Sequence, residues 1–108
     1  MSRKKGREYE KKACSFLREK EFEIIECNFY SRFGEIDIVA KKDGVLHFVE
    51  VKGGEKFNPI YAFTPTKLSR IIQTIQFYLL KNSLDLPYCI DGISIYGEKI
   101  EWLENVTF

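Results

Sequence analysis

The 108-residue chain has 44% hydrophobic and 15% aromatic content, which suits one small domain with its own core and excludes a disordered linker. Its apolar stretches are broken by charge well short of the roughly 18 residues that span a bilayer, and no charged-then-apolar segment opens it, so a soluble, cytoplasmic protein without membrane contact is expected. The net charge of +1 gives no bulk case for a polyanionic partner, but residues 1–20 hold eight Lys/Arg against three Glu, residues 21–82 eight against eight, and residues 83–108 one against five.

In chain order, Tyr9, Ala13, Phe16 and Leu17 recur on one face of a helix from about Gly6 to Lys20. Phe22 to Phe29 reads as a first strand. Gly34 to Lys42 and Val45 to Lys52 are two more strands, joined by Asp43-Gly44, the dipeptide suited to a two-residue type I′ hairpin. After a loop containing Gly, Asn and Pro, Thr64-Pro65 supplies an N-cap and a proline at the first helical position. Leu68, Ile71, Ile72, Ile75 and Leu79 carry that second helix to about Asn82. Tyr88 to Tyr96 and Lys99 to Leu103 are two final strands turning at Gly97. With no internal repeat and no linker, one domain of order α-β-β-β-α-β-β covers residues 1–108.

Cys14, Cys27 and Cys89 are odd in number and lack C-x-x-C spacing, and His47 is the single histidine. A disulfide framework, a structural zinc site and a His-dependent triad are not expected.

The hairpin concentrates charge. A two-residue loop puts Lys42 opposite Val45, and continuing that register sets Asp37 opposite Glu50, Glu35 opposite Lys52 and Val39 opposite Phe48 on one face. The other face pairs Ile36 with Val51, Ile38 with Val49 and Ala40 with His47. Opposed carboxylates repel and must share a proton, be offset by a cation or hold a metal. Two readings stand at this point. Lys52 bridges Glu35 and Glu50 on a wet face with Asp37 solvated, or the group is a site beneath a helix, as the apolar Val39 and Phe48 favour. On the first helix, at about 100° per residue, Glu10 borders the apolar stripe and can look toward the sheet, whereas Glu8 cannot.

Asp37, then Glu50-Val51-Lys52, with a preceding helical Glu10, resembles the PD-(D/E)XK nuclease signature. The chain more narrowly resembles the YraN-type family of small bacterial proteins, similar to archaeal Holliday-junction resolvases. Gly6 with Glu10 and Ala13, Asn28 with Arg32, Gly34-Glu35-Ile36-Asp37, Phe48-Val49-Glu50-Val51-Lys52, Thr64-Pro65 with Lys67 and Arg70-Ile71, and Asp91 carry the likeness. It departs from the family at Gly53-Gly54, where an arginine usually follows the lysine, and at Glu21, where the first helix usually ends in glycine.

The resemblance implies a restriction-endonuclease-like α/β fold, a central mixed sheet flanked by helices, with the active site at the hairpin end. It implies that Asp37 and Glu50 hold Mg²⁺ or Mn²⁺, that Glu10 completes or orients that shell, and that Lys52 positions the attacking water. Glu35 would hold the Lys52 ammonium from behind.

Lys67, Arg70, Thr74 and Lys81 fall on one polar face of the second helix, and Arg32 sits in the loop before Gly34. With the basic N-terminus these are candidate phosphate contacts, which read backbone shape rather than bases and suit branched DNA; each is equally compatible with a solvated surface. Most aromatic residues, such as Phe16, Phe22, Phe48 and Phe77, fall at core positions, which favours packing over base stacking; Phe57 and Tyr61, in the loop before the second helix, are the exceptions. Three functions remain: a metal-dependent endonuclease on junction or branched DNA, acting as a homodimer because a junction needs two cuts; a nucleic-acid-binding module with little or no turnover; or a protein-binding strand edge.

Overall fold

The apolar stripe through Tyr9, Ala13, Phe16 and Leu17 does form a helix, α1 (Arg3–Glu19). It is followed by β1 (Glu23–Ser31), β2 (Gly34–Lys42), β3 (Val45–Gly53), α2 (Pro65–Lys81), β4 (Tyr88–Tyr96) and β5 (Lys99–Leu103). This computed structural model describes residues 3–54, 58, 61 and 63–106, with backbone alone for residues 3–5. The sheet order is β1-β2-β3-β4-β5, antiparallel except for the parallel β3–β4 pair. A parallel pair needs a crossover, and α2 lies within that connection. The element order and the mixed sheet are those expected from sequence. No described helix is long and apolar enough to cross a membrane.

Local chemistry accounts for the ends of these elements. Asp43 and Gly44 both take positive φ (53° and 78°), as a type I′ turn requires, and Lys42 pairs with Val45. Thr64 caps α2, its hydroxyl accepting the Lys67 N–H at 3.1 Å, with Pro65 at the first helical position. At the end of α1, Phe22 N–H bonds Leu17 C=O and Glu21 N–H bonds Arg18 C=O, a Schellman closure. Its left-handed residue is Glu21 at φ 70°, where a Cβ is unfavourable. Glu21→Gly is expected to stabilise the protein by about 0.5–1 kcal/mol, measured as a higher urea midpoint with unchanged slope.

The two helices cover opposite faces. Ala13, Cys14 and Leu17 of α1 pack on Ile38, Ala40, Val49, Val51, Ile93 and Ile95, while Ile71, Ile75 and Tyr78 of α2 pack on Val39, Leu46, Phe48 and Ile90. The face bearing Val39 and Phe48 is thus covered by a helix.

Strict alternation fails in β2. Ile36 was expected beside Ile38 and Ala40, but it packs with Phe29 and Ile71 on the α2 side. The β2–β3 ladder likewise ends at Ile38 opposite Val49, so the extended pairing of Asp37 with Glu50, Ile36 with Val51 and Glu35 with Lys52 does not form. β2 instead stays with β1, pairing Ile36 with Phe29 and Glu35 with Tyr30, while β3 continues along β4. The strands part at Asp37, and the gap between them becomes the site.

Candidate functional site

Where the ladder stops, the Asp37 side chain replaces the missing backbone partner. Its Oδ2 accepts the Val51 N–H at 2.8 Å, which stitches β2 to β3 across the gap. Burial and the nearby Glu50, Glu10 and Glu35 push the Asp37 carboxyl up to about 8, against the Val51 hydrogen bond, which favours the charged form. Sequence spacing had no means of showing that bond, because it depends on a break in pairing.

Glu10 reaches the same place from α1. Carboxylate oxygens of Glu10, Glu35 and Asp37 lie within 4.8 Å of one another. Burial raises the Glu10 carboxyl; a hydrogen bond from Asn28 and the charge of Arg7 oppose this, while Glu35 adds to it. Asn28 is posed for this contact by a left-handed backbone (φ 57°) within β1. Neither Arg7 nor the role of Asn28 was foreseen; the only signal for Asn28 was its place among the matching motif residues.

Glu50 was expected to share a metal with Asp37. Its carboxylate is the charge that acts most strongly on Asp37, lines the same cleft as the Glu10–Glu35–Asp37 group, and also lies 3.4 Å from the Lys67 ammonium. Burial raises the Glu50 carboxyl, and Lys67, then Lys52, hold it down. Glu35, expected only behind Lys52, belongs to the converging set. Lys67, expected as an outer phosphate contact, is drawn into the site because it stands in the first turn of α2, facing the end of β3.

These residues line an open cleft of about 770 Å³. Its acids are Glu10, Glu35, Asp37 and Glu50, and its cations are Arg7, Lys52, Lys67 and Arg70. Lys52 and Arg70 stand exposed at the rim. Arg32 is not among the lining residues; it lies exposed in the β1–β2 turn with its guanidinium 4.8 Å from the Phe33 ring centroid. The expected polar face of α2 is also revised. Thr74 is fully buried, donating to Arg70 C=O at 2.8 Å and receiving the Ser31 hydroxyl at 3.4 Å, and Lys81 lies over the Phe29 ring. Tyr61 is exposed, whereas Phe57 and the side chains of Arg3, Lys4 and Lys5 lie outside the described residues.

The missing arginine after Lys52 has a local cause. A Cβ on Gly53 would fall 2.2 Å from the Tyr9 ring, so the ring of α1 rests directly on this backbone. Gly54 follows at φ 97°. Any side chain at position 53 would displace the helix turn that leads into Glu10.

Away from the cleft, the single histidine belongs to a buried polar cluster. His47 Nδ1 lies 2.7 Å from Asp91 Oδ2 and 3.1 Å from Cys89 Sγ. Asp91, fully buried, also accepts from Trp102 Nε1 (3.3 Å), the Asn105 N–H (2.9 Å) and Cys89 (3.4 Å). Burial and Asp91 push the Cys89 thiol up to about 12, so it stays a thiol at neutral pH. The parallel register that sets His47 beside Cys89 and Val49 beside Asp91 creates the cluster, and sequence distance concealed it.

The donor set of the cleft suits a hard divalent cation. Three converging carboxylates, one with its pKa raised to about 8, lower their mutual repulsion by taking one, and Mg²⁺ and Mn²⁺ prefer oxygen ligands. Residues 9–95 match the model of a family described as "Uncharacterised protein family UPF0102". Similar proteins include a UPF0102 protein of Helicobacter pylori (strain P12), 53% identical over 106 residues (98% of this chain, 93% of that protein). A UPF0102 protein of Wolinella succinogenes is 50% identical over 107 residues (99% of each), and one of Helicobacter hepaticus is 50% identical over 106 residues (98% of this chain, 96% of that protein). The family match and the near full-length relatives agree with the YraN-type motifs, and the chain belongs to the UPF0102 family.

Proposed function

We propose that this chain is a cytoplasmic, metal-dependent endonuclease that hydrolyses phosphodiester bonds of branched or junction DNA. The observation that carries the reading is the convergence of Glu10, Glu35 and Asp37 within 4.8 Å at the point where β2 and β3 part. Glu10, Asp37 and Glu35 would hold Mg²⁺ or Mn²⁺, with Glu50 in reach of the same cleft. The ion, when bound, polarises the phosphoryl group and lowers the pKa of an attacking water.

The protein's own part is positioning and charge. Asp37, anchored by Val51, keeps its carboxylate on the cleft floor. Lys52 stands over that floor and offsets negative charge developing at phosphorus. Lys67, 3.4 Å from Glu50, opposes the rise that burial causes in its carboxyl and offers its ammonium to a bound phosphate. The N-terminus of α2, with Thr64, Thr66 and Lys67 in the cleft wall, presents backbone N–H groups and a positive dipole end to a phosphate. Arg7 and Arg70 extend this contact along the strand. These contacts read backbone, which is why shape rather than sequence would select the substrate, and a junction's paired cuts call for two subunits.

The Glu50–Lys67 ion pair favours a second reading, a DNA-binding module with little or no turnover, because it takes one carboxylate away from the metal set. Labelled four-way-junction, flap and linear DNA, incubated at low salt with Mg²⁺ or Mn²⁺, separate the two. Wild type is expected to nick a branched substrate, and Lys52→Ala to lower the rate by about 100-fold with retained DNA binding. Retarded but uncut DNA in both ions would give the second reading instead.

A further inference from the structure

Cys14 of α1 and Cys27 of β1 face each other across the helix–sheet contact, their Sγ atoms 3.6 Å apart. Cys14 is buried and Cys27 exposed. Both line a surface hollow of about 490 Å³, beside Arg7, Lys11 and Arg18 and next to the main cleft. We propose that Cys14 and Cys27 form a reversible intrachain disulfide under peroxide, a redox-modification site that ties the helix of Glu10 to the strand of Asn28.

Three features support this. A disulfide requires an S–S distance of about 2.0 Å, so closing from van der Waals contact takes about 1.5 Å of combined side-chain rotation and helix shift. The two thiols differ in access, which assigns an order to the chemistry. Burial and the hydrogen-bonded Cys27 push the Cys14 thiol up to about 12, so Cys14 remains the protonated, sheltered member. Third, the pair sits one helical turn from Glu10 on one side and one residue from Asn28 on the other. The bond would therefore lock the two elements whose side chains already meet at the cleft. A single reversible pair differs from the disulfide framework excluded above, since the fold forms with all three cysteines free.

The chemistry balances with hydrogen peroxide as oxidant. The Cys27 thiolate attacks one peroxide oxygen, the O–O bond breaks, hydroxide leaves, and Cys27 becomes a sulfenic acid. Cys14 sulfur then attacks the Cys27 sulfur, the S–O bond breaks, and the Cys14 proton leaves with the hydroxyl as water. Two thiols are oxidised by two electrons and one peroxide is reduced to two waters overall. A small-molecule dithiol reverses the bond by exchange.

The proposal concerns the thiols alone, so its test is independent of whether the cleft cuts DNA. Wild-type protein is treated with hydrogen peroxide, alkylated without reductant and weighed by mass spectrometry. The expected product is a monomer lighter by two hydrogens, with only Cys89 alkylated, restored to three labelled thiols by dithiothreitol. Cys89→Ser should give the same loss of two thiols. Cys27→Ser should keep Cys14 labelled, and Cys14→Ser should leave a Cys27 sulfenic acid that dimedone traps. Three free thiols after treatment, a dimer linked through Cys27, or Cys27 carrying added oxygens while Cys14 of the wild type remains alkylated would each overturn the proposal. Cys27→Ser changes only an exposed position, so a folding failure of Cys14→Ser would leave the test decisive.

Discussion

Asp37→Asn is expected to melt at a higher temperature than wild type at pH 8 in the absence of divalent ions, and to lose the stabilisation that Mn²⁺ gives the wild type. The sign follows from proton binding. In the unfolded chain the Asp37 carboxyl ionises near pH 3.9, whereas in the fold burial and the surrounding acids hold it up to about 8. Between those values the folded state binds more protons, so stability falls as pH rises from about 4 to about 8. Above that window the full penalty for a buried anion is present. Glu50 and Glu10, both raised chiefly by burial, act in the same direction.

Asn is isosteric, and its carbonyl can still accept the Val51 N–H, so the substitution removes the charge without breaking the stitch across the gap. A gain of up to about 5 kcal/mol at pH 8 is expected, shrinking to near zero at pH 4. Mn²⁺ acts oppositely. On the proposed reading it is expected to replace the proton in the wild-type cleft and raise its melting temperature with ion concentration, whereas the variant should respond weakly. Thermal scans at pH 4, 6 and 8, with and without Mn²⁺, decide the matter. A flat pH profile for the difference, or equal responses to Mn²⁺, would mean that Asp37 does not sit among converging acids.

The other large effect lies far from the cleft. Asp91→Ala is expected to cost about 3–5 kcal/mol, a sizeable part of the 5–15 kcal/mol that holds a small domain folded. Asp91 is fully buried, and its two oxygens accept from His47, Trp102, the Asn105 N–H and Cys89. Deleting it strands those donors in the core, and a buried donor without a partner keeps its whole desolvation penalty. The network also joins β3, β4 and the chain after β5, where Val106 N–H bonds Ile90 C=O at 2.7 Å. Asp91→Asn should fall between, because one amide oxygen still accepts while its NH₂ points at donors. Urea unfolding followed by Trp102 fluorescence gives the values. A loss below about 1 kcal/mol for Asp91→Ala would show that the cluster contributes little to stability.

This network also accounts for part of the acidic C-terminal segment. Asp91 contributes no surface charge; it serves as the internal acceptor for the only histidine. Its place among the motif residues follows from the core and needs no direct role in the cleft.

Much of the architecture is legible in the sequence itself. Helix stripes, the Thr64-Pro65 start and the Asp43-Gly44 turn are local signals, set by side-chain periodicity and backbone preference within a few residues. Among the described residues they yielded the seven helices and strands and the hairpin register as far as Ile38 and Val49. Motif spacing brought Asp37, Glu50, Lys52 and Glu10 to notice, and all four line one cleft.

The division of labour among them was decided only in three dimensions. Extrapolating the hairpin register assumed that β2 and β3 stay paired, but β2 follows β1 while β3 follows β4, and Asp37 fills the gap with its own carboxylate. That parting brings Glu35 in among the acids and lets Glu50 act on Asp37 while it pairs with Lys67. The same limit hid His47 with Asp91 and Cys14 with Cys27, contacts made across a parallel register and across a helix–sheet packing. Periodicity states which face a residue takes; which partner it meets depends on how separate elements settle against one another to bury their apolar faces, and that is a property of the whole chain.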